Sequence, residues 1–256
     1  MVLGLEIITS VSTLSFLHRE EIRTRSTDYM WGVMAEIIEE RALRNKIHVF
    51  RDRAHAGELL ALKLRPYVGP SSIVLAIPSG GVPVGKAIAK KLGLLLDLII
   101  VRKLPVPYNT EAGFGSVSWD GEVMLNEKLV KQLQLSGEEI SIATEDVKHE
   151  LERRMERFRG KRPFPELKGM TVIMVDDGLA SGYTMLAAIS SVKKRSCAGI
   201  MVAVPTASKN AIELVSPCVD KIFCLNLRET TVFAVADAYQ EWHDLTEQEV
   251  LELLNL

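Results

Sequence analysis

The run Val172-Ile173-Met174-Val175-Asp176-Asp177-Gly178-Leu179-Ala180-Ser181-Gly182-Tyr183-Thr184 constrains this chain more than any other stretch. Four consecutive apolar residues are too few for a helix but enough for a strand buried on both faces, as parallel sheets require. Two carboxylates close that strand, at the end where open α/β sheets take their ligands. A loop of small and hydroxyl residues follows, and then Met185, Leu186, Ala187, Ala188 and Ile189 read as an apolar helix. The backbone N–H groups of such a loop, with the Ser181 and Thr184 hydroxyls beside them, converge at a helix N-terminus and suit a phosphate. The plainer alternative is a strand–turn–helix whose Ser and Thr only cap the helix.

Around this run the pattern is regular from Val49 onward. Arg51–Tyr67 reads as a helix with Ala56, Leu59, Leu60 and Leu62 on one stripe. Strand Ile73–Ile77, loop Pro78–Gly81 and helix Pro83–Leu92 follow, with Gly93 placed to end the helix. A second strand covers Asp97–Val101. Gly115–Leu125 reads as a hairpin turning at Asp120-Gly121. Ser136–Arg159 is a long charged helix capped by Ser136, with Glu138 and Glu139 in its first turn. After the signature come helix Tyr183–Lys194, strand Gly199–Val204, helix Lys209–Val215, strand Lys221–Leu225 and two terminal helical stretches. Strands alternating with helices predict an α/β fold, a parallel sheet with helices on both faces.

Residues 1–46 read as an N-terminal extension, with a helix predicted over 28–44; Met30 and Met34 are alternative starts. Met1–Leu17 lacks the leading positive charge of a secretory signal. The domain proper is expected to span 47–256.

Composition narrows the function classes. The 256 residues carry a net charge of −2, which offers no basic field for nucleic acid. No apolar run reaches membrane-spanning length. Cys197, Cys218 and Cys224 form neither a paired framework nor a zinc motif, so a reducing cytosol is the expected compartment. The histidines are scattered without ligand spacing.

Asp176 and Asp177 repel a bare polyphosphate but accept hydrogen bonds from a sugar's hydroxyl pair, so a ribose 5-phosphate suits both halves of the signature. At this point the sequence resembles the type I phosphoribosyltransferases, whose signature is an apolar strand, two acids and a small-residue loop ending in Ser or Thr. The resemblance implies a parallel-sheet core with a flexible lid loop and a small hood, here placed at about 219–256. It implies binding of phosphoribosyl pyrophosphate (PRPP), transfer of its ribose 5-phosphate group to a nitrogenous base, and release of pyrophosphate. Asp176, Asp177, Gly178, Leu179, Ala180, Ser181, Gly182, Tyr183 and Thr184 would bind the donor. Mg²⁺ would be held mainly through pyrophosphate, with at most one carboxylate contact, for which Asp176 is the candidate. The expected partners are PRPP and an unidentified base, with a homodimer open and neither nucleic acid nor membrane involved.

Three other loops enter this reading. Ser79, Gly80 and Gly81 follow a strand and open a helix, where glycines bring N–H groups close to an anion. The resemblance makes this the pyrophosphate loop, although relatives often carry Arg where this chain has Ser79. Gly80 to Lys86 also meets the GxxxxGK spacing of a nucleotide P-loop, but Ala87 lacks the required hydroxyl and Pro83 removes an N–H. Arg102 and Lys103 lead into Leu104–Phe114, whose two prolines predict an irregular loop in the place of the family's catalytic lid. Both cations could neutralise the departing pyrophosphate; Glu111 sits mid-lid. Arg153, Arg154, Arg157, Arg159, Lys161 and Arg162 interleave with Glu150, Glu152 and Glu156 and read as a solvated, self-paired face.

Ala180 stands where relatives acting on 6-oxopurines carry an acid, and alanine exchanges no proton. Phe233, Tyr239 and Trp242 could stack on a base, though their spacing fits core positions better. Two other readings stay open: a non-catalytic regulatory protein binding PRPP or a nucleotide, and a hydrolase or kinase using Gly80–Lys86.

Overall fold

A computed structural model describes residues 34–107, 109–230 and 232–255, without the side chains of 109–112. The segment before Met34 and the Glu111 side chain lie outside the described residues.

The main sheet has six strands: β1 (Glu36–Glu39), β2 (Ser72–Ala76), β3 (Leu95–Leu98), β7 (Thr171–Val175), β8 (Gly199–Ser208) and β9 (Lys221–Arg228). All are parallel, in the order β1-β9-β8-β7-β2-β3. The period-2 alternation divides each central strand between two cores. Val172 and Met174, Ile200 and Val202, and Ile222 and Cys224 point to one face. Ile173 and Val175, Met201 and Ala203, and Phe223 and Leu225 point to the other. Helix α5 (Tyr183–Lys193) covers the first face with Met185, Leu186 and Ile189. Helices α1 (Arg53–Leu64) and α2 (Gly81–Leu92) cover the second with Leu60, Leu64, Val84 and Ile88. Burying Leu60 or Leu64 stabilises by about 1.5–3 kcal/mol each. The two helices touch closely at Gly57, where a Cβ would lie 2.6 Å from the Val84 carbonyl oxygen.

A smaller antiparallel sheet, β4 (Val101–Val106), β5 (Asn109–Ser118) and β6 (Val123–Leu125), stands beside the main one. The β5–β6 turn uses Gly121 at φ +86°, as the Asp120-Gly121 pair predicted. After the short α3 (Glu127–Gln132), the long α4 (Gly137–Arg159) begins at a Ser136–Glu139 capping box. Val147, Leu151 and Phe158 of α4 share a third core with Leu104, Phe114, Val117 and the last helix, α7 (Glu247–Leu254). The short α6 (Lys209–Val215) joins β8 to β9.

Three expectations are corrected. The described part of the helix predicted over 28–44 contains a strand: Glu36–Glu39 adds to the free edge of β9, where Ile37 and Ile38 pair with Ile222 and Phe223. β-Branched residues beside an open ladder favour that outcome over a helix. Leu104–Phe114 is not irregular but the tip of the β4–β5 hairpin. The ladder accommodates Pro105 through register shifts on either side of it, the position in a sheet where proline is tolerated. The basic run is only partly a solvated, self-paired face: Arg153, Arg157, Lys161 and Arg162 are exposed, but Arg154 and Arg159 are buried, and the run pairs with α7 rather than with itself. Arg153 and Arg154 pair with Glu247, while Arg159 is buried against Asp97 at 2.5 Å and the Pro163 carbonyl at 2.6 Å.

Candidate active site at the ends of the parallel strands

Strands β2 and β7 run side by side, with Ala76 beside Val175, so the chain leaves both at the same level. The Ile77 amide still donates to the Val175 carbonyl at 2.9 Å. Beyond it Pro78-Ser79-Gly80-Gly81, with a cis Pro78–Ser79 peptide bond, lies directly against Asp176 and Asp177. A Cβ on Gly80 would fall 1.9 Å from Asp177 Oδ2, and one on Gly81 would fall 2.7 Å from the Val175 carbonyl oxygen. A side chain at Gly81 would meet fixed backbone, and one at Gly80 would have to displace the Asp177 carboxylate.

The two acids have different surroundings. Asp177 Oδ2 accepts from Arg53 Nε at 2.8 Å, and the side chains are only 15% and 8% exposed. Arg53 also donates to the His243 carbonyl at 2.9 Å, and its guanidinium carbon lies 3.8 Å from the centre of the Trp242 ring. The Tyr239 hydroxyl donates to the Asp177 carbonyl at 2.6 Å. Asp177 Oδ2 is thus tied to the scaffold, and the carboxyl is raised by burial and held back by Arg53. Asp176 accepts the Asp177 amide at 2.9 Å. Burial first, and the neighbouring Asp177 charge second, hold its carboxyl well above the usual range. Such a group gains from any hydroxyl donor brought to it.

The loop that follows is pinned at its start and open in its middle. Leu179 is buried, and its amide donates to the Thr206 carbonyl at 3.0 Å. Gly178 abuts Val235 and Thr206, where a Cβ would meet the nearest Val235 methyl carbon at 2.6 Å. Ala180 and Ser181 are exposed, and the Ala180 carbonyl accepts from Ser208 Oγ at 2.7 Å. Gly182 turns at φ +84° into the first turn of α5, with Tyr183 half-buried on the core and Thr184 Oγ1 3.4 Å from Ser116 Oγ. Open amides at a helix N-terminus, flanked by two hydroxyls, make an anion cradle.

Arg102 and Lys103 take opposite faces of β4. Arg102 pairs with Glu150 of α4 at 2.5 Å. Lys103 is registered opposite Ser116, the residue whose hydroxyl neighbours Thr184. Lys86 does not serve the Gly80 loop, since its Nζ donates to the Leu253 carbonyl at 2.6 Å. The P-loop reading therefore loses its cation.

The phosphoribosyl transferase domain family matches residues 53–242, well over half of the chain. The chain belongs to the phosphoribosyltransferase family. The matched span of this phosphoribosyltransferase domain opens at Arg53 and closes at Trp242, the two residues in contact beside Asp177. The chain is 34% identical over 207 residues to "Putative phosphoribosyl transferase MT0597" of Mycobacterium tuberculosis (strain CDC 1551 / Oshkosh), covering 81% of this chain and 46% of that one. The chain thus spans about half the length of the curated relatives it matches. It is also similar to the crystal structure of TT1426 from Thermus thermophilus, at 35% identity and a TM-score of 0.66, over 80% of this chain and 97% of that one.

Sequence reasoning missed Arg53, Tyr239 and Trp242 as supports of the candidate site. Arg53 carried one local signal: it is an arginine in a helix's first turn, where the helix dipole disfavours a cation unless a carboxylate waits there. Tyr239 is a buried core residue, as its spacing suggested, while its hydroxyl serves the loop. Phe233 is half-buried, 6.0 Å from the Arg228 guanidinium. Among the described residues no helix is long and apolar enough to cross a membrane. Nor does any group of three or more His, Cys, Asp or Glu among them form a metal cage.

Proposed function

We propose that this phosphoribosyltransferase domain transfers the ribose 5-phosphate group of PRPP to a nitrogenous base with release of pyrophosphate. The observation that carries the proposal is the contact of the Gly80 backbone with Asp177, which puts two anion-binding loops on either side of one pair of acids. In this reading the amides of Ala180, Ser181 and Gly182, with the Ser181 and Thr184 hydroxyls, hold the 5-phosphate. Asp176 accepts hydrogen bonds from the ribose diol. Asp177, held by Arg53, sets the spacing between the loops and does not itself grip the sugar. Ser79, Gly80 and Gly81 receive the pyrophosphate.

The base nitrogen's lone pair forms the new bond to the anomeric carbon, and the bond to pyrophosphate breaks with its electron pair leaving on oxygen. Positive charge builds on the ring between the two events. The protein's tasks are alignment and electrostatic stabilisation of the leaving group, to which Arg102 and Lys103 on the adjoining hairpin contribute positive charge. The donors present fit Mg²⁺ carried on the pyrophosphate, with Asp176 as at most one protein ligand, in keeping with that ion's reluctance to shed water. Bound there, it would neutralise leaving-group charge. The β4–β5 hairpin is the proposed cover over the reacting centre.

The acceptor base would enter beside Val235, which meets the loop at Gly178. The exposed Ala180 supplies no acid to an entering ring, which disfavours 6-oxopurines as acceptors.

The test is pyrophosphate release from PRPP with Mg²⁺ across a panel of purines, pyrimidines and small aromatic bases. The proposal expects release that depends on one class of base. PRPP binding without release for any base identifies a regulatory binding protein instead.

A further inference from the structure

The loop at Ser79 has no cationic side chain of its own, yet a buried one reaches it from elsewhere. Arg154, on α4, is 6% exposed and points a guanidinium nitrogen at Ser79 Oγ, 3.5 Å away. That distance is the outer limit of a hydrogen bond, so the nitrogen's capacity is largely unspent. Its Nε is buried with no partner among the described residues. The other terminal nitrogen is 3.2 Å from Glu247, a carboxylate that Arg153 already holds at 3.1 Å. Arg102 lies close enough to Arg154 for their like charges to act on each other; its Nε is likewise buried and unpartnered among the described residues, and it pairs with Glu150.

A guanidinium offers five donors in a fixed plane and costs much to bury. Here burial, and then the like charge of Arg102, both work against the Arg154 cation. If this arginine only tied α4 to α7, the exposed Arg153, which shares the same carboxylate, would do so without that cost. A second anion beside Ser79 would use the spare donors and relieve the repulsion.

We propose that Arg154 is a pyrophosphate-binding residue, supplying across space from α4 the fixed positive charge that Ser79 withholds from the β2–α2 loop. This rests on the assignment of the β2–α2 loop to the pyrophosphate of PRPP. The guanidinium fork receives the leaving group's oxygens bidentately, with Ser79 positioning it. Because α4, α7 and the β4–β5 hairpin share the third core, Arg154 and Arg102 are held in fixed relation to each other for the same anion.

Calorimetric titration separates this inference from the reading beneath it. Inorganic pyrophosphate with Mg²⁺, PRPP and ribose 5-phosphate are titrated into the wild type, Arg154→Met and Glu247→Gln. Arg154→Met is expected to weaken pyrophosphate and PRPP roughly tenfold or more, the loss of a charge-assisted pair, while ribose 5-phosphate changes by less than about twofold. Glu247→Gln releases Arg154 from its competing carboxylate and is expected to tighten pyrophosphate severalfold, which a purely structural arginine would not do. If Arg154→Met fails to fold, the Glu247→Gln result decides alone, and unchanged pyrophosphate affinity overturns the inference. A wild type that binds PRPP, with Arg154→Met binding pyrophosphate equally well, overturns it while leaving the proposed function intact. A wild type that binds neither pyrophosphate nor PRPP removes both.

Discussion

Arg53 and Asp177 stand 124 residues apart in sequence and meet at 2.8 Å with both side chains nearly excluded from solvent. Their pairing ties the first turn of α1 to the loop after β7, and Trp242 closes over the guanidinium. The acid read as a sugar ligand in the sequence is also a fastener between α1 and the loop after β7.

Arg53→Met strands a buried carboxylate. It is expected to destabilise the domain by about 3–5 kcal/mol, as breaking one side of a buried pair does. Urea unfolding of Arg53→Met, Asp177→Asn and the double variant measures the coupling. The double variant should lose distinctly less than the two single losses added together.

Gly80→Ala drives a methyl into Asp177 Oδ2. The carboxylate must move, with overpacking expected to cost about 1–3 kcal/mol. Because the methyl acts through Asp177, its cost should fall when Asp177→Asn is already present. Thermal unfolding of the pair reads that directly. Strictly additive losses would mean that the two residues do not press on each other.

Asp176→Asn should raise stability at neutral pH, in protein free of divalent cations. The Asp176 carboxyl sits well above its ordinary value in the folded chain because burial and the Asp177 charge oppose ionisation. As pH rises past about 3.9 the unfolded chain releases this proton first, so wild-type stability falls until the folded carboxyl ionises as well. Asparagine escapes that loss. Melting temperatures of variant and wild type should coincide below about pH 4 and separate in the variant's favour by pH 7.

Ser181→Ala touches an exposed hydroxyl in the open part of the phosphate loop. Stability should stay within about 0.5 kcal/mol. Affinity for ribose 5-phosphate should fall roughly tenfold, the worth of one hydrogen bond to a charged group. Calorimetry and thermal unfolding on the same preparation check both halves.

What the sequence made legible was local. Val172–Val175 announced a buried strand because four apolar residues in a row suit only an element covered on both sides, and Ser136 with Glu139 announced a helix start through a self-contained cap. What it concealed depended on partners far along the chain. Glu36–Glu39 is a strand because the edge of β9 is open to it, and nothing within the segment says so. Pro105 and Pro107 argued for an irregular loop, yet the β4–β5 ladder absorbs Pro105 where its register shifts. Arg154 had Glu150 one helical turn before it, which favoured self-pairing until α7 arrived over that face and buried it. The open turn after β7 was readable for the same local reason as the strand, whereas the Arg53–Asp177 fastening was not.

The most direct measurement is a crystal structure of the protein with PRPP bound. The account predicts the 5-phosphate against the Ala180–Gly182 amides and the Ser181 and Thr184 hydroxyls, the ribose diol on Asp176, and the pyrophosphate at Ser79–Gly81. A 5-phosphate seated away from that turn, or a ribose ring that does not touch Asp176, would contradict it.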